Sequence, residues 1–467
     1  MNMDNEGKRT VPEVRDSFTL GDTIVLPGET RHIRLPVSES YVSTSIEIPL
    51  TIINGISEGP IVFVCAASHG DECNGTAIAR ELIYGADHSN LRGVLVVAPV
   101  LNLPGFLRNE RDLPDGRDLN RNFPGKPDGN SAQRIANAIF TKILQKCDFG
   151  LDLHTASRGR SNILQVRGDM SNAEVRRIAR AFGSEIVIDE AGLQGTLRRA
   201  ATESGIPTIT AEIGESQRFE KELVKSGLAG VINVLYELGM LKGKTVLPLF
   251  QVIIKKTEWV RADRGGILEM ITEPRALVSE GQELCTITNP FGNEVGTVRA
   301  PFTGMVVGIT NYPMVSPGSP ICHLVKLDRT LSTVETALRR EMEAREKLPA
   351  SRLVCIPSIS SPQVPREAPV RPEPAPSAPS GLPVPVSQPP KPVEEEPAVT
   401  VIEPKEEKTL RTRRLEREGK KYKKDKTGKE GTLASAETQP NGDQDRQTRH
   451  TSYYEDYDED AEPDEKE

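Results

Sequence analysis

From residue 45 onward the chain alternates short unbroken apolar runs with stretches whose apolar residues recur at helical spacing. Ile61 to Ala67 (IVFVCAA), Val94 to Val100 (VLVVAPV), Phe149 to Leu153, Ile163 to Val166, Glu185 to Ile188 and Pro207 to Ala211 (PTITA) predict strands. Gly75 to Ile83, Ser131 to Lys146, Ala173 to Phe182, Gly195 to Glu203 and Phe219 to Leu238 predict helices. A strand buried on one face alternates apolar with polar, whereas one buried on both faces is apolar throughout. Continuous runs separated by helices therefore predict an α/β fold over residues 45–245, with a mostly parallel sheet covered by helices on both faces.

Residues 246–328 change character, with Gly, Pro and short apolar segments in place of helices. An internal echo runs through them. Gly266 to Ile271 (GILEMI) precedes Val278 to Cys285 (VSEGQELC), as Gly304 to Ile309 (GMVVGI) precedes Val315 to Cys322 (VSPGSPIC). Two copies of one β unit are expected, forming a small all-β domain. Residues 1–44 are an N-terminal extension, and 329–348 hold a last helix, from Leu331 to Leu348, charged on most faces.

Composition separates a tail from these elements. Pro357 to Pro404 carries 15 prolines in 48 residues, Lys405 to Lys429 carries 12 basic and 5 acidic residues, and Glu455 to Glu467 carries nine carboxylates. Residues 349–467 are too polar and too segregated in charge to bury a core and are expected to be disordered. The net charge of −8 gives no reason to expect nucleic acid. No window reaches the roughly 18 consecutive apolar residues of a membrane span, and no secretory leader opens the chain, so a cytoplasmic protein without membrane contact is expected. Six scattered cysteines (Cys65, Cys73, Cys147, Cys285, Cys322 and Cys355) match neither a disulfide framework nor a thiolate metal site and read as small core hydrophobes. The sequence leaves homo-oligomerisation and the partner of the tail open.

The candidate chemistry lies at strand ends. The first strand runs into Ser68-His69-Gly70-Asp71-Glu72, and a later one ends in Asp152-Leu153-His154-Thr155. In an open parallel sheet, ligands collect beyond the carboxyl ends of the strands. Two imidazoles and one carboxylate there make a His₂Glu set with an open fourth position, the catalytic form of zinc site. Asp152 reads either as an acceptor for a ligand imidazole or as the cap of a turn. A third strand ends in Thr210-Ala211-Glu212, whose carboxylate suits transfer of the water proton to a leaving amine. Between the ligands, Arg108 to Asp128 contains Arg111, Arg117 and Asp118-Leu119-Asn120-Arg121-Asn122-Phe123-Pro124-Gly125. Guanidinium groups beside a hydrolytic zinc imply a substrate bearing a carboxylate.

Together the strings SHGDExNG, DLNRNFPG, DLHT and AEIG resemble the succinylglutamate desuccinylase/aspartoacylase family, a branch of the zinc carboxypeptidase-like fold, over residues 45 to 327. The resemblance implies one zinc ion per chain, held by His69, Glu72 and His154, with Glu212 as general base and acid. It further implies Asn120 and Arg121 as binders of the substrate carboxylate and Arg111 as polariser of the scissile carbonyl, with Arg117 as competitor for that role. Arg198 resembles a further substrate contact, against the alternative of a helix-surface charge. The β segment resembles the barrel-sandwich of biotinyl and lipoyl carriers, but its hairpin Asn289 to Asn293 has no acceptor lysine, so a cofactor arm is not expected. The implied activity is zinc-dependent hydrolysis of a small N-acyl amino acid. A carboxypeptidase acting on peptide C-termini and a non-catalytic binding or scaffold protein are the rival readings.

Overall fold

In the computed structural model, residues 15–40, 42–327 and 331–346 are described. Strands β1 (Phe18–Leu20), β2 (Thr23–Val25), β3 (Thr30–Glu39), β4 (Ser45–Asn54) and β5 (Ser57–Ala66) lead into helix α1 (Asn74–Tyr84) and β6 (Arg92–Ala98). Then come α2 (Leu103–Arg108), α3 (Ser131–Lys142), β7 (Phe149–Ala156), β8 (Arg160–Gly168), α4 (Ala173–Phe182), β9 (Ile186–Asp189), α5 (Leu197–Glu203), β10 (Thr208–Glu215) and α6 (Lys221–Glu237). The expected elements recur with shifted ends. Helix α4 has the predicted bounds because both ends carry local signals. The Asn172 side chain accepts from the Glu174 and Val175 amides, and Gly183 turns left-handed at φ 83°.

The large sheet has 13 strands and is mixed, which corrects the expectation of a mostly parallel one. Its middle, β10-β7-β5-β6, is parallel. Strands β4 and β3 extend it antiparallel on one side, and β8 does so on the other. Residues 157–159 join β7 to β8 across β10, which lies between them, and so short a link cannot carry the chain back along the sheet to start β8 parallel to β7. Segment 30–39, read from sequence as part of the extension, is the edge strand β3 and pairs with β4 along its length.

Both faces of the parallel strands are buried, which is why they read as unbroken apolar runs. Phe63, Cys65, Val94 and Val96 face one core with α3 and α5. Val62, Val64, Leu95, Val97, Leu151, Leu153, Ile209 and Ala211 face the other, with α1, α4 and α6. The alternation also places the polar residues. Because Leu151 and Leu153 point to the second core, Asp152 and His154 point to the opposite face.

Beyond α6 come β11 (Val252–Ile254), β12 (Thr257–Arg261), β13 (Gly266–Met270), β14 (Leu277–Val278), β15 (Glu283–Thr288), β16 (Glu294–Arg299), β17 (Gly304–Thr310), β18 (Met314–Val315), β19 (Pro320–Lys326) and α7 (Leu331–Glu346). The sequence echo is visible in the pairing. Strand β13 pairs with β15 of its own copy and β18 of the other, and β17 pairs with β19 and β14 in the same way. Strand β17 also pairs with β8, so β17, β19, β12 and β14 continue the large sheet while β16-β15-β13-β18 form a second one. Helix α7 is less uniformly polar than expected: Val334 and Ala337 are buried against Val252, Ile254, Met305 and Val325. Residues 349–467, where a disordered tail is expected, lie outside the described residues. Among the described residues no helix is long and apolar enough to cross a membrane.

Candidate metal centre and pocket

His69 follows β5 after a sharp turn in which Ala67 adopts φ 49°. The loop beneath it is close-packed: a Cβ on Gly70 would lie 2.1 Å from the Gly105 carbonyl carbon, so only glycine fits. That approach fixes Arg111, whose carbonyl accepts from the Gly70 amide at 3.1 Å and from Asn102 Nδ2 at 3.0 Å.

His69, Glu72 and His154, drawn from two strand ends 82 or more residues apart in sequence, meet with their ligand-capable atoms all within 4.8 Å. All three are buried. Glu72 bridges the imidazoles, with Oε1 2.6 Å from His69 Nδ1 and Oε2 2.9 Å from His154 Nδ1. The Thr155 amide also donates to Oε2, at 2.9 Å. The far ring nitrogens are held by further carboxylates: His69 Nε2 lies 3.2 Å from Asp118 Oδ1, and His154 Nε2 lies 2.8 Å from Asp152 Oδ2. Asp152 in turn accepts from the Ser68 hydroxyl at 3.2 Å.

Burial and the Arg111 guanidinium oppose a proton on His69, but the Glu72 and Asp118 carboxylates outweigh them and raise its pKa to about 9. His154 is also raised, since Asp152 and Glu72 overcome its burial. Burial alone would raise Glu72; the two imidazoles lower it to about 2. Three carboxylates therefore surround two imidazoles, with the Arg111 guanidinium beside Glu72 and Asp118 and that of Arg121 3.9 Å from Asp118. Such a donor set, two nitrogens and an oxygen within 4.8 Å of one another in a negative surround, fits a divalent cation that competes with those protons.

Glu212 is buried and lies beside His154, its register partner across β10 and β7. A pocket opens there, lined by Asn120, Arg121, His154, Arg167, Glu190, Leu193, Thr196, Arg198, Thr210 and Glu212. Asn120 Oδ1 accepts from the Leu197 amide at 2.8 Å, joining the DLNRN loop to the start of α5. Arg198 is buried in this pocket, 3.5 Å from Glu190, so it is not a helix-surface charge. Arg111 lies in the cluster, 3.3 Å from Glu72 and 3.1 Å from Asp118. Arg117 is largely exposed and pairs with Asp115 at 2.7 Å, away from the cluster.

Three residues of this site were not singled out in the sequence. Asp118 opens the DLNRN string and caps its single helical turn, a position that could have marked it. Arg167 and Glu190, 3.5 Å apart, form the far wall of the pocket. They carry no local signal, because only the pairing of β8 with β10 and β9 brings them there.

A mixed sheet flanked by helices, with two imidazoles and a carboxylate gathered beyond its parallel strands, defines an α/β protein with a candidate divalent-metal centre. Residues 58–238 match the succinylglutamate desuccinylase/aspartoacylase catalytic domain, the family that the four motifs resemble. Over 314 residues the chain is 24% identical to the N-alpha-acetyl-L-2,4-diaminobutyric acid deacetylase of Halomonas elongata, covering 64% of this chain and 92% of that protein. The crystal structure of a succinylglutamate desuccinylase/aspartoacylase from Rhodobacter sphaeroides is similar with a TM-score of 0.57 at 25% identity, covering 64% of this chain and 95% of that one. The product-bound ectoine utilization protein EutE (DoeB) from Ruegeria pomeroyi shares the fold, with a TM-score of 0.59 at 24% identity over 68% of this chain and 98% of that one.

Proposed function

We propose that the chain is a zinc-dependent hydrolase that cleaves the amide bond of an N-acyl amino acid. The observation that carries this reading is the convergence of His69, Glu72 and His154 beside Glu212 at the mouth of a pocket that also holds three guanidinium groups. The deacetylase relative supports an acyl amino acid as substrate. Zinc held by the three ligands supplies Lewis acidity toward a water and the scissile carbonyl. Asp118 and Asp152 orient the ligand imidazoles through their far nitrogens. Glu212 accepts the water proton and passes it to the departing amine, the transfer that lets an amide nitrogen leave as a neutral group. Arg111 donates to the carbonyl oxygen as charge develops on it. Arg121, with Asn120 and Arg198, holds the substrate carboxylate. We further propose residues 246–328, which have an apolar core of their own around Leu284, Ile287 and Leu324, as a second domain joined to the first along the β8–β17 seam.

The test is a panel of N-α-acetyl-L-2,4-diaminobutyrate, N-acetylaspartate, N-succinylglutamate and short peptides with free and amidated C-termini, offered to zinc-loaded protein. Hydrolysis of at least one acylamino acid is expected. Glu212→Gln should lower its kcat by roughly 10²- to 10⁴-fold with zinc retained. Turnover of peptides alone, or a Glu212→Gln variant as active as the native chain, would overturn the reading.

A further inference from the structure

The carboxylate read above as the general base is approached at both oxygens. Asn162 Nδ2 donates to Glu212 Oε2 at 3.4 Å, and Arg167 Nε lies 4.0 Å from Glu212 Oε1. Asn162 is buried on β8, where the strand register sets it between two glycines, Gly214 of β10 and Gly308 of β17. The other end of its amide has no such contact: Asn162 Oδ1 is buried without a hydrogen-bond partner. A buried, unpaired carbonyl destabilises a fold, and an apolar side chain of similar size would avoid that cost. Stability alone therefore gives no reason for an amide at this position.

Gly308 points the same way. It is not among the glycines with positive φ, so its backbone conformation is open to any residue. What it provides is space. A Cβ there would lie 2.5 Å from Asn162 Oδ1 and 3.3 Å from His323 Cβ. The packed His323 ring is fully buried and stacked on Trp259 at 4.9 Å, so the Asn162 amide is the part that would have to move. Moving it draws Nδ2 away from Glu212.

We propose that Asn162 is a positioning residue for Glu212, and that Gly308, supplied by the C-terminal β region, keeps open the space in which the amide makes that contact. The proposal rests on Glu212 being the general base. By donating to Oε2, Asn162 fixes the rotamer of the carboxylate and leaves Oε1 turned toward the pocket side, where Arg167 lies. It thereby acts on the step in which the proton moves and not on substrate capture.

The experiment uses full-length, zinc-loaded protein and the acylamino acid from the panel that is turned over fastest. Asn162→Ala is expected to lower kcat about tenfold, with KM and zinc content within about twofold of native and Tm not lowered. Gly308→Ala should lower kcat about fivefold in the native background, but by less than about twofold when Asn162 is already alanine, since the amide it displaces is gone. A native kcat in Asn162→Ala, or a loss carried by KM or zinc content, overturns the role of Asn162. Multiplying losses in the double variant overturn the role of Gly308, and Gly308→Ala keeps the test open if Asn162→Ala does not fold. The two readings fail separately: an active Glu212→Gln variant removes the base, whereas an inactive one alongside native kcat for Asn162→Ala and Gly308→Ala removes only this inference.

Discussion

The parallel strands β5, β7 and β10 and the antiparallel strands of residues 257–326 belong to regions that meet where β17 pairs with β8, yet their sequences encode structure differently. In the parallel group Val62–Ala66, Gly150–Ala156 and Thr208–Gly214 are enclosed, and apolar positions alternate between two cores. A polar side chain placed among them, such as Asp152, His154 or Glu212, is costly unless it has partners, so it stands out at the strand ends where chemistry gathers. In the second group one face is often exposed, as at Ile267, Ile271 and Met314. There, a polar residue is ordinary and the informative signal is repetition. Enclosure makes functional residues legible; half-exposure hides them.

The largest test of that contrast is a matched pair of core truncations. Leu153, one residue before His154, and Leu284 in the C-terminal core are both essentially fully buried. Each change to alanine should cost about 2–5 kcal/mol of stability, read from denaturant unfolding. Their effects on turnover should part: Leu153→Ala loosens the strand that presents His154 and lowers kcat/KM, whereas Leu284→Ala leaves the activity of folded protein within about twofold. Equal losses of activity would mean that the two regions are not distinct in role.

Much of this contrast is legible in the sequence, for reasons that differ by residue. His69, Glu72 and His154 were found together because each follows or ends an apolar run, and the geometry of a parallel sheet brings such ends to one edge. The antiparallel setting of β8 was missed although the three-residue link at 157–159 was present in the sequence, since strand order depends on partners far away along the chain. The same dependence hid Arg167, Glu190 and Asn162, whose neighbours come from β9, β10 and β17. Helix α7 is hard to read from the sequence for another reason. Leu331, Val334, Ala337 and Leu338 form an apolar stripe, but arginines and glutamates dilute it in any average over the helix.

A smaller effect is expected where a partly readable residue acts through another. Asp152 is fully buried, 2.8 Å from His154 Nε2, and burial would raise its pKa, but His154 lowers it, so it is held as a carboxylate. Asp152→Asn removes that charge while keeping the shape. Zinc affinity, measured by competition with a chromophoric chelator, should fall about 10- to 100-fold. An unchanged affinity would reduce Asp152 to the cap of a turn, the alternative its sequence position left open.

The smallest effect, and one of opposite sign, is expected on β8, where it lies between β9 and β10. Gln165 on β8 is fully buried and sits opposite Glu212 in the strand register, and neither its Nε2 nor its Oε1 has a hydrogen-bond partner. An amide desolvated on folding without replacement of its water bonds is a net cost, and a leucine of similar size would bury apolar surface in the same space. Gln165→Leu should therefore raise stability by about 1 kcal/mol, seen as a higher Tm. The parallel core offers no comparable gain, since its polar residues Asp152 and His154 are paired. A lower Tm would mean that the Gln165 amide is satisfied in solution, and that β8 is as fully bonded here as the parallel core it borders.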